Sequence, residues 1–305
     1  VDRDSVDWKG YIPAITTPFT EDGAFDVAVL GQLLEWLQGE GMHGLVIAGT
    51  TGEWFSLEPT DRLALFRATG AQLRGKLPLI GGCNAFTPAQ AIANAQLAAE
   101  SGFDGILLTP PPYMVPNEDE IVAFYQTVSD HSSLPICVYN WPPGTNIDMS
   151  LPLLTRLAAI DKVVAIKNST PRLDHFIKVF LQLKDQVRIF GFAMDELGIT
   201  LMQAHGGEGT MGAGAVLGHI QPDFYNSLWR GDLAAARHCG SLDQRLMQDW
   251  FTPNLTGKFG SAQATLKTAL NLQGLPGGYP RRPLLPLGPE QQDAVRATLV
   301  AVGRL

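Results

Sequence analysis

Short β-rich runs alternate with longer helical patterns from the start of the chain to about residue 220, and this alternation constrains the fold more than any other feature. Strand candidates fall at 11–17, 44–49, 77–81, 105–109, 136–140, 163–167, 187–192 and 207–212. Apolar residues at helical spacing fill the gaps, at 27–40, 59–74, 88–101, 118–130, 151–159, 173–183 and 194–204. Period 2 giving way to period 3.6 is the signature of β-α units, which need a parallel sheet covered by helices. Start signals support several helices: Asp26, Thr87-Pro88 and Ser150 stand just ahead of apolar-periodic segments. Gly41, Gly75 and Gly102 stand where helices should stop. Eight strands separated by roughly 30 residues predict a (β/α)8 TIM barrel over residues 1–220. A doubly wound sheet usually has fewer strands. From residue 221 to 305 only helical patterns remain, at 222–230, 233–250, 261–272 and 289–302, so a C-terminal helical extension packed on the barrel is expected.

Lys167 ends the sixth run, Val163-Val164-Ala165-Ile166-Lys167. A lysine ammonium in a buried strand is costly to desolvate, and burial favours the neutral amine. A neutral amine is a nucleophile toward ketones and forms Schiff bases. A lysine that snorkels from the strand end, or pairs with a carboxylate, explains the segment as well. In a barrel the chemistry lies at the C-terminal strand ends. Tyr139 ends the fifth run, one inter-strand spacing of about 4.8 Å from Lys167, so the two side chains can share a pocket. A phenol beside an imine-forming lysine can relay protons, although a packed tyrosine is the simpler reading of Tyr139 alone. The second run ends in Gly49-Thr50-Thr51-Gly52-Glu53, a tight turn suited to offering N–H groups and hydroxyls to an anion such as an α-keto carboxylate. The first run leads to Thr16-Thr17-Pro18-Phe19 and the fourth to Thr109-Pro110-Pro111-Pro112-Tyr113.

These segments, Thr-Pro-Phe, Gly-Thr-Thr-Gly-Glu, Pro-Pro-Tyr, Tyr-Asn and Ile-Lys, resemble in order and spacing the dihydrodipicolinate synthase/N-acetylneuraminate lyase family, from about residue 10 to residue 305. The resemblance implies a TIM barrel, usually a homotetramer of tight dimers, that binds pyruvate or a longer 2-keto acid as a lysine imine. It assigns Lys167 as the Schiff-base residue, Tyr139 as acid/base, Thr50 and Thr51 as carboxylate-binding and relay groups, and Tyr113 as the tyrosine that completes the relay in a neighbouring subunit. Gly49, Thr17, Gly209, Met211 and Trp141 fall at positions expected to line the substrate site. The pattern also breaks. The namesake synthases carry an arginine in Tyr-Asn-x-Pro-x-Arg-Thr-Gly that grips the carboxylate of the aldehyde substrate; here the stretch reads Tyr139-Asn140-Trp141-Pro142-Pro143-Gly144. A glycine has no bidentate fork. The Gly-Ser-Thr-Gly-Glu and Tyr-Tyr strings of the sialate lyases are also absent. A lyase acting on a 2-keto-3-deoxy sugar acid, by aldol cleavage/condensation or dehydration, is therefore expected ahead of a dihydrodipicolinate synthase-type condensation or a non-catalytic keto-acid-binding relative.

Other chemistries find less support. With 22 Lys+Arg against 30 Asp+Glu the net charge is −8, with no basic stripe for nucleic acid. Three widely spaced cysteines, Cys83, Cys137 and Cys239, suit a reducing cytoplasm better than a disulfide framework. The polar N-terminus reads as neither a signal nor a transit peptide, and no apolar stretch reaches the roughly 18–20 residues of a membrane helix. The six histidines lack metal-ligand spacing, so no metal and no cofactor is expected. Gly207-Glu208-Gly209-Thr210-Met211-Gly212 matches a dinucleotide fingerprint, but no βαβ unit follows; these glycines are read as the eighth strand end, on the pocket floor. Asp195 and Glu196 follow the seventh strand and suit either substrate hydroxyls or a helix N-terminus.

Overall fold

Eight parallel strands curl in the order β1-β8-β7-β6-β5-β4-β3-β2 in the computed structural model, which describes residues 1–305. They are β1 (Gly10–Tyr11), β2 (Leu45–Ile47), β3 (Leu79–Gly82), β4 (Gly105–Leu108), β5 (Ile136–Asn140), β6 (Val163–Asn168), β7 (Arg188–Phe190) and β8 (Gly209–Thr210). Helices α1 (Val27–Gly39), α2 (Pro59–Leu73), α3 (Pro88–Glu100), α4 (Glu118–His131), a short α5 (Pro142–Thr145), α6 (Leu151–Ala158), α7 (Leu173–Leu183) and α8 (Glu196–His205) lie between them. The expected barrel is therefore the observed one, with α5 added inside the loop after β5.

The seam between β1 and β2 is thin, for a local reason. Alternate residues of β1 face alternate neighbours: Ile12 N and Ala14 N donate to Thr210 O and Gly212 O on the β8 side. On the β2 side Pro13 has no N–H to donate. Pairing there reduces to the Ala14–Val46 bridge, held by Val46 N to Pro13 O at 2.8 Å and Ile15 N to Val46 O at 3.0 Å.

Side chains alternate across the sheet as period 2 requires. Ile12, Ala14, Val46, Ile80, Leu107, Cys137, Tyr139, Ala165, Phe190 and Met211 fill one buried cluster in the barrel interior, with Trp8. Val138 and Ile166, their neighbours in sequence, belong to the larger cluster between strands and helices. Trp8 seats against Gly105, where an added Cβ would lie 2.4 Å from the indole. Asp26, Thr87 and Ser150 accept backbone N–H groups at the starts of α1, α3 and α6, as expected. Gly41, Gly75 and Gly102 follow helices with φ of +75°, +72° and +82°, which only glycine adopts cheaply.

After β8 come α9 (Ile220–Trp229), α10 (Leu233–Trp250), α11 (Ala262–Leu272) and α12 (Pro289–Ala301). They dock through buried polar contacts as well as apolar ones. Gln221 Nε2 donates to the Tyr11 hydroxyl at 2.7 Å and to Asp243 Oδ1 at 2.9 Å, linking α9, α10 and the first strand. Asp243 has no cation beside it, and burial lifts its carboxyl to about 6. The connector between α11 and α12 returns to the barrel mouth, where Tyr279 N donates to Phe19 O at 2.8 Å.

Candidate active site

Lys167 and Tyr139 are directly paired across β5 and β6, in a register that also sets Asn140 beside Asn168. Inward-facing positions of adjacent strands thus meet at the C-terminal end of the barrel, and Lys167 Nζ lies 4.3 Å from the centroid of the Tyr139 ring. Both side chains are buried. Burial presses the Lys167 amine down to about 8; the Cys137 thiol, itself pushed up to about 12 by burial, pulls weakly the other way. About one lysine in ten is then neutral at pH 7, against fewer than about one in a thousand for a lysine in water. The ring face attracts an ammonium by about 2 kcal/mol or less, which is smaller than the burial cost of about 3 kcal/mol.

The Tyr139 hydroxyl faces the side chains of Thr50 and Ser169; burial raises its pKa and these two polar neighbours oppose the rise. Thr50 comes from the turn after β2, and Ser169 follows Lys167 by two residues, on the same face of the extended chain. The turn is held tightly. Glu53 N donates to Thr50 O at 3.1 Å, and Thr17 Oγ1 donates to Gly52 O at 2.7 Å. Glu53 adopts a left-handed conformation with φ of +56°. One step further along β5 and β6, Asn140 Nδ2 donates to Asn168 Oδ1 and to Asp148 Oδ1, both at 2.9 Å. This bond pattern fixes the two strand ends against each other beyond the lysine.

Trp141 stacks on Tyr139, with ring centroids 5.9 Å apart and planes 25° from parallel. Its indole also covers Gly144: an added Cβ there would lie 2.5 Å from Trp141 Cδ1. The glycine is what lets the indole fold down against the first turn of α5. A buried amine near pKa 8, a phenol and two hydroxyls in contact form a group able to add to a carbonyl and move protons.

Residues 7–302 match the dihydrodipicolinate synthetase family. The chain belongs to that family. It is 30% identical to an uncharacterized DapA-like lyase of Rhizobium meliloti over 284 residues, 92% of this chain and 91% of the relative. It is 31% identical to a 4-hydroxy-tetrahydrodipicolinate synthase of Methylobacterium radiotolerans over 282 residues, 92% and 90% of the two chains. The crystal structure of chloride-inhibited dihydrodipicolinate synthase from Acinetobacter baumannii in complex with pyruvate superimposes with a TM-score of 0.88 at 26% identity, covering 97% of this chain and 99% of that one. As a member of the dihydrodipicolinate synthetase family the chain is a class I, aldolase-type lyase.

Within this family member, the other expected site residues take varied places. Thr51 is buried in the turn beside Thr50, and Gly49 N-terminal to it packs on Val46 and Ala14. Thr17 spends its hydroxyl on the turn. Gly209, with φ of +147°, lies so close to β1 that an added Cβ would meet Gly10 O at 2.0 Å, and Met211 is buried with its sulfur 4.0 Å from Cys137 Sγ. Tyr113 is 94% exposed, on a loop with Met114 and Val115 also exposed, and touches nothing in its own site. Asp195 caps α8 by accepting from Gly198 N, while Glu196 forms a two-bond pair with Arg237 of α10 at 2.7 and 2.8 Å. Ser169 and the asparagine pair were not singled out from sequence; the two-residue spacing of Ser169 from Lys167 is the signal that points to it. No three His, Cys, Asp or Glu side chains are grouped to hold a metal ion, and no helix is long and apolar enough to cross a membrane.

Proposed function

We propose that Lys167 is the Schiff-base residue of a lyase acting on a 2-keto-3-deoxy sugar acid. Its neutral amine adds to the C2 ketone, and the carbinolamine loses water to give a protonated imine. The imine draws electrons from C3. In aldol cleavage Tyr139 takes the C4 hydroxyl proton as it passes its own phenolic proton into the Thr50–Ser169 relay, the C3–C4 bond breaks toward the imine, and an aldehyde and an enamine result; a proton returned to C3 and hydrolysis of the imine by water then release pyruvate and free Lys167. In dehydration C3 loses its proton and the C4 hydroxyl leaves as water. Thr50 and Ser169 relay the proton held by Tyr139, Thr51 and the N–H groups of the 49–52 turn receive the carboxylate, and Gly49, Gly209, Met211 and Thr17 form the floor and walls. The observation that carries this reading is a buried lysine at about pKa 8, over the ring of a tyrosine whose hydroxyl faces Thr50.

Gly144 and Trp141 bear on the substrate. With Gly144 where the synthases hold an arginine and the Trp141 indole lying over it, the distal part of the substrate meets an aromatic wall and no cation, which suits a neutral polyol chain better than a second carboxylate. The exposed Tyr113 loop supports assembly into tight dimers, and a homotetramer of these, in which Tyr113 enters a neighbour's site. Cys83, Cys137 and Cys239 are all free thiols, in keeping with a cytoplasmic setting.

Borohydride reduction in the presence of pyruvate tests the reading. A stable mass adduct on Lys167 is expected; a protein that binds pyruvate yet gives no adduct on this residue is not a Schiff-base lyase. Product analysis with 2-keto-3-deoxy sugar acids then separates cleavage, which releases pyruvate, from dehydration, which releases a dioxo acid. A monomer with full activity in sedimentation at assay concentration would remove the role of Tyr113.

A further inference from the structure

The turn that carries Thr50 is gripped from behind by the C-terminal helices. Gln263 and Lys267 are one helical turn apart on α11 and so share a face. Gln263 Nε2 donates to Thr50 O at 2.8 Å, and Lys267 Nζ donates to Glu53 Oε1 at 2.5 Å. The first and last residues of the Thr50–Glu53 turn are thereby held by positions i and i+4 of a single helix. The second carboxylate oxygen of Glu53 accepts from Arg281 N at 3.0 Å, and Lys267 also donates to Tyr279 O at 2.8 Å. Lys267 lies 4.7 Å from the centre of the Phe19 ring.

The Glu53–Lys267 pair is the one ion pair of the chain with both side chains wholly enclosed, at 0% and 1% exposure. Replacing a buried ion pair by well-packed apolar side chains is often neutral or stabilising, because desolvation consumes what the attraction returns, so stability alone does not account for this one. What an ion pair adds is a directional constraint, and here it acts three residues from a hydroxyl in contact with Tyr139.

We propose that Gln263, Lys267 and Glu53 are positioning residues that set the Thr50 hydroxyl against Tyr139, so that the helical extension is part of the proton-transfer machinery. This rests on Lys167 and Tyr139 acting as proposed above. Displacing a relay group by about 1 Å costs on the order of 100-fold in rate. Imine formation at Lys167, on the opposite wall, uses the turn only to hold the carboxylate and does not pass through the Thr50 hydroxyl.

The test uses Gln263→Leu and the double variant Glu53→Gln/Lys267→Met, which removes both charges and leaves neither orphaned. Two readouts with pyruvate alone separate the steps: borohydride-trapped adduct, which reports the imine, and deuterium exchange at the pyruvate methyl group, which needs the relay. At saturating pyruvate, where a weakened grip on the carboxylate is made up by concentration, the expected result is adduct yield at the wild-type level with exchange slowed about 10- to 100-fold. Exchange at the wild-type rate in Gln263→Leu would overturn the proposal, whether or not the double variant folds. Adduct and exchange falling together with thermal stability would overturn it too, by assigning these residues a structural role alone. Absence of an adduct in the wild-type protein sinks the Lys167 reading itself, a distinguishable outcome.

Discussion

Lys167 Nζ rests over the ring of Tyr139, its cross-strand partner, at 4.3 Å from the ring centroid. The nucleophile and the acid/base of the proposed reaction are therefore fixed by one rung of the β-ladder, before any loop contributes. The rung before it is the buried apolar pair Val138 and Ile166 and the rung after it is the hydrogen-bonded pair Asn140 and Asn168, so little can move the two apart.

That packing carries a cost in stability. A lysine held at about 8 where a free one titrates at 10.5 costs the folded state up to about 3 kcal/mol when protonated. The unfolded chain binds the extra proton between these values, so stability rises with pH from about 8 to 10.5 and the full cost applies below 8. Lys167→Met is expected to abolish turnover and adduct formation while raising the melting temperature at neutral pH. The gain should shrink as pH passes from 8 to 10.5. A melting temperature that falls at pH 7 would contradict the burial argument.

The same value sets the pH dependence of activity. Attack requires the neutral amine, so kcat/KM for pyruvate-methyl exchange is expected to climb about tenfold per pH unit below 8 and to level off above it. A profile flat from pH 6 to 9 would mean that the amine titrates elsewhere or is not the nucleophile.

Tyr139→Phe keeps the ring under Lys167 and against Trp141 and removes only the hydroxyl. Adduct formation with pyruvate should persist, and kcat should fall about 10²- to 10⁴-fold, the usual worth of a positioned proton donor. Equal loss of adduct and turnover would make Tyr139 a support for the lysine only.

Gly144→Ala drives a methyl group to within 2.5 Å of the indole and must tilt Trp141 away. The adduct with pyruvate should be unaffected, while KM for a six-carbon 2-keto acid is expected to rise by about 10-fold, equivalent to about 1.4 kcal/mol of lost contact. Trp141→Ala should show a similar rise, and the two changes together no more than either alone, as shared contacts are not additive.

Away from the site, Asp243 is buried with Gln221 as its hydrogen-bond partner and titrates at about 6, against 3.8 for an ordinary aspartate. Between 3.8 and 6 the folded protein holds the proton that the unfolded chain releases, so stability declines across that window and the full penalty is present above 6. Asp243→Asn keeps an acceptor for Gln221 and is expected to raise stability above pH 6 by up to about 3 kcal/mol, with no gain below pH 4. Chemical denaturation at pH 4 and pH 7.5 would show the difference or its absence.

Particular residues show how far sequence reached. The order of elements, the caps at Asp26, Thr87 and Ser150, and the placing of Lys167 and Tyr139 on adjacent strand ends all follow from patterns within about ten residues. Solvation period and backbone conformation act at that range. The turn at Thr50 was legible as a string, and its place at the barrel mouth, where Thr50 faces Tyr139, followed once a barrel was assumed. The direction of individual side chains did not follow. The Thr17 hydroxyl bonds to the turn, Trp141 lies on Gly144, and Glu196 pairs with Arg237, 41 residues on. Each depends on which neighbour happens to reach it.

What the sequence by itself determined is a parallel eight-stranded barrel with a lysine and a tyrosine on adjacent strand ends, because period, caps and glycine stops are local and strong. Only the tertiary structure decided that Glu53 meets Lys267 across 214 residues of chain, and that Gln263 reaches the carbonyl of Thr50. Contacts at that separation are set by how the closed barrel and the returning helices pack together, and no short-range preference encodes that geometry.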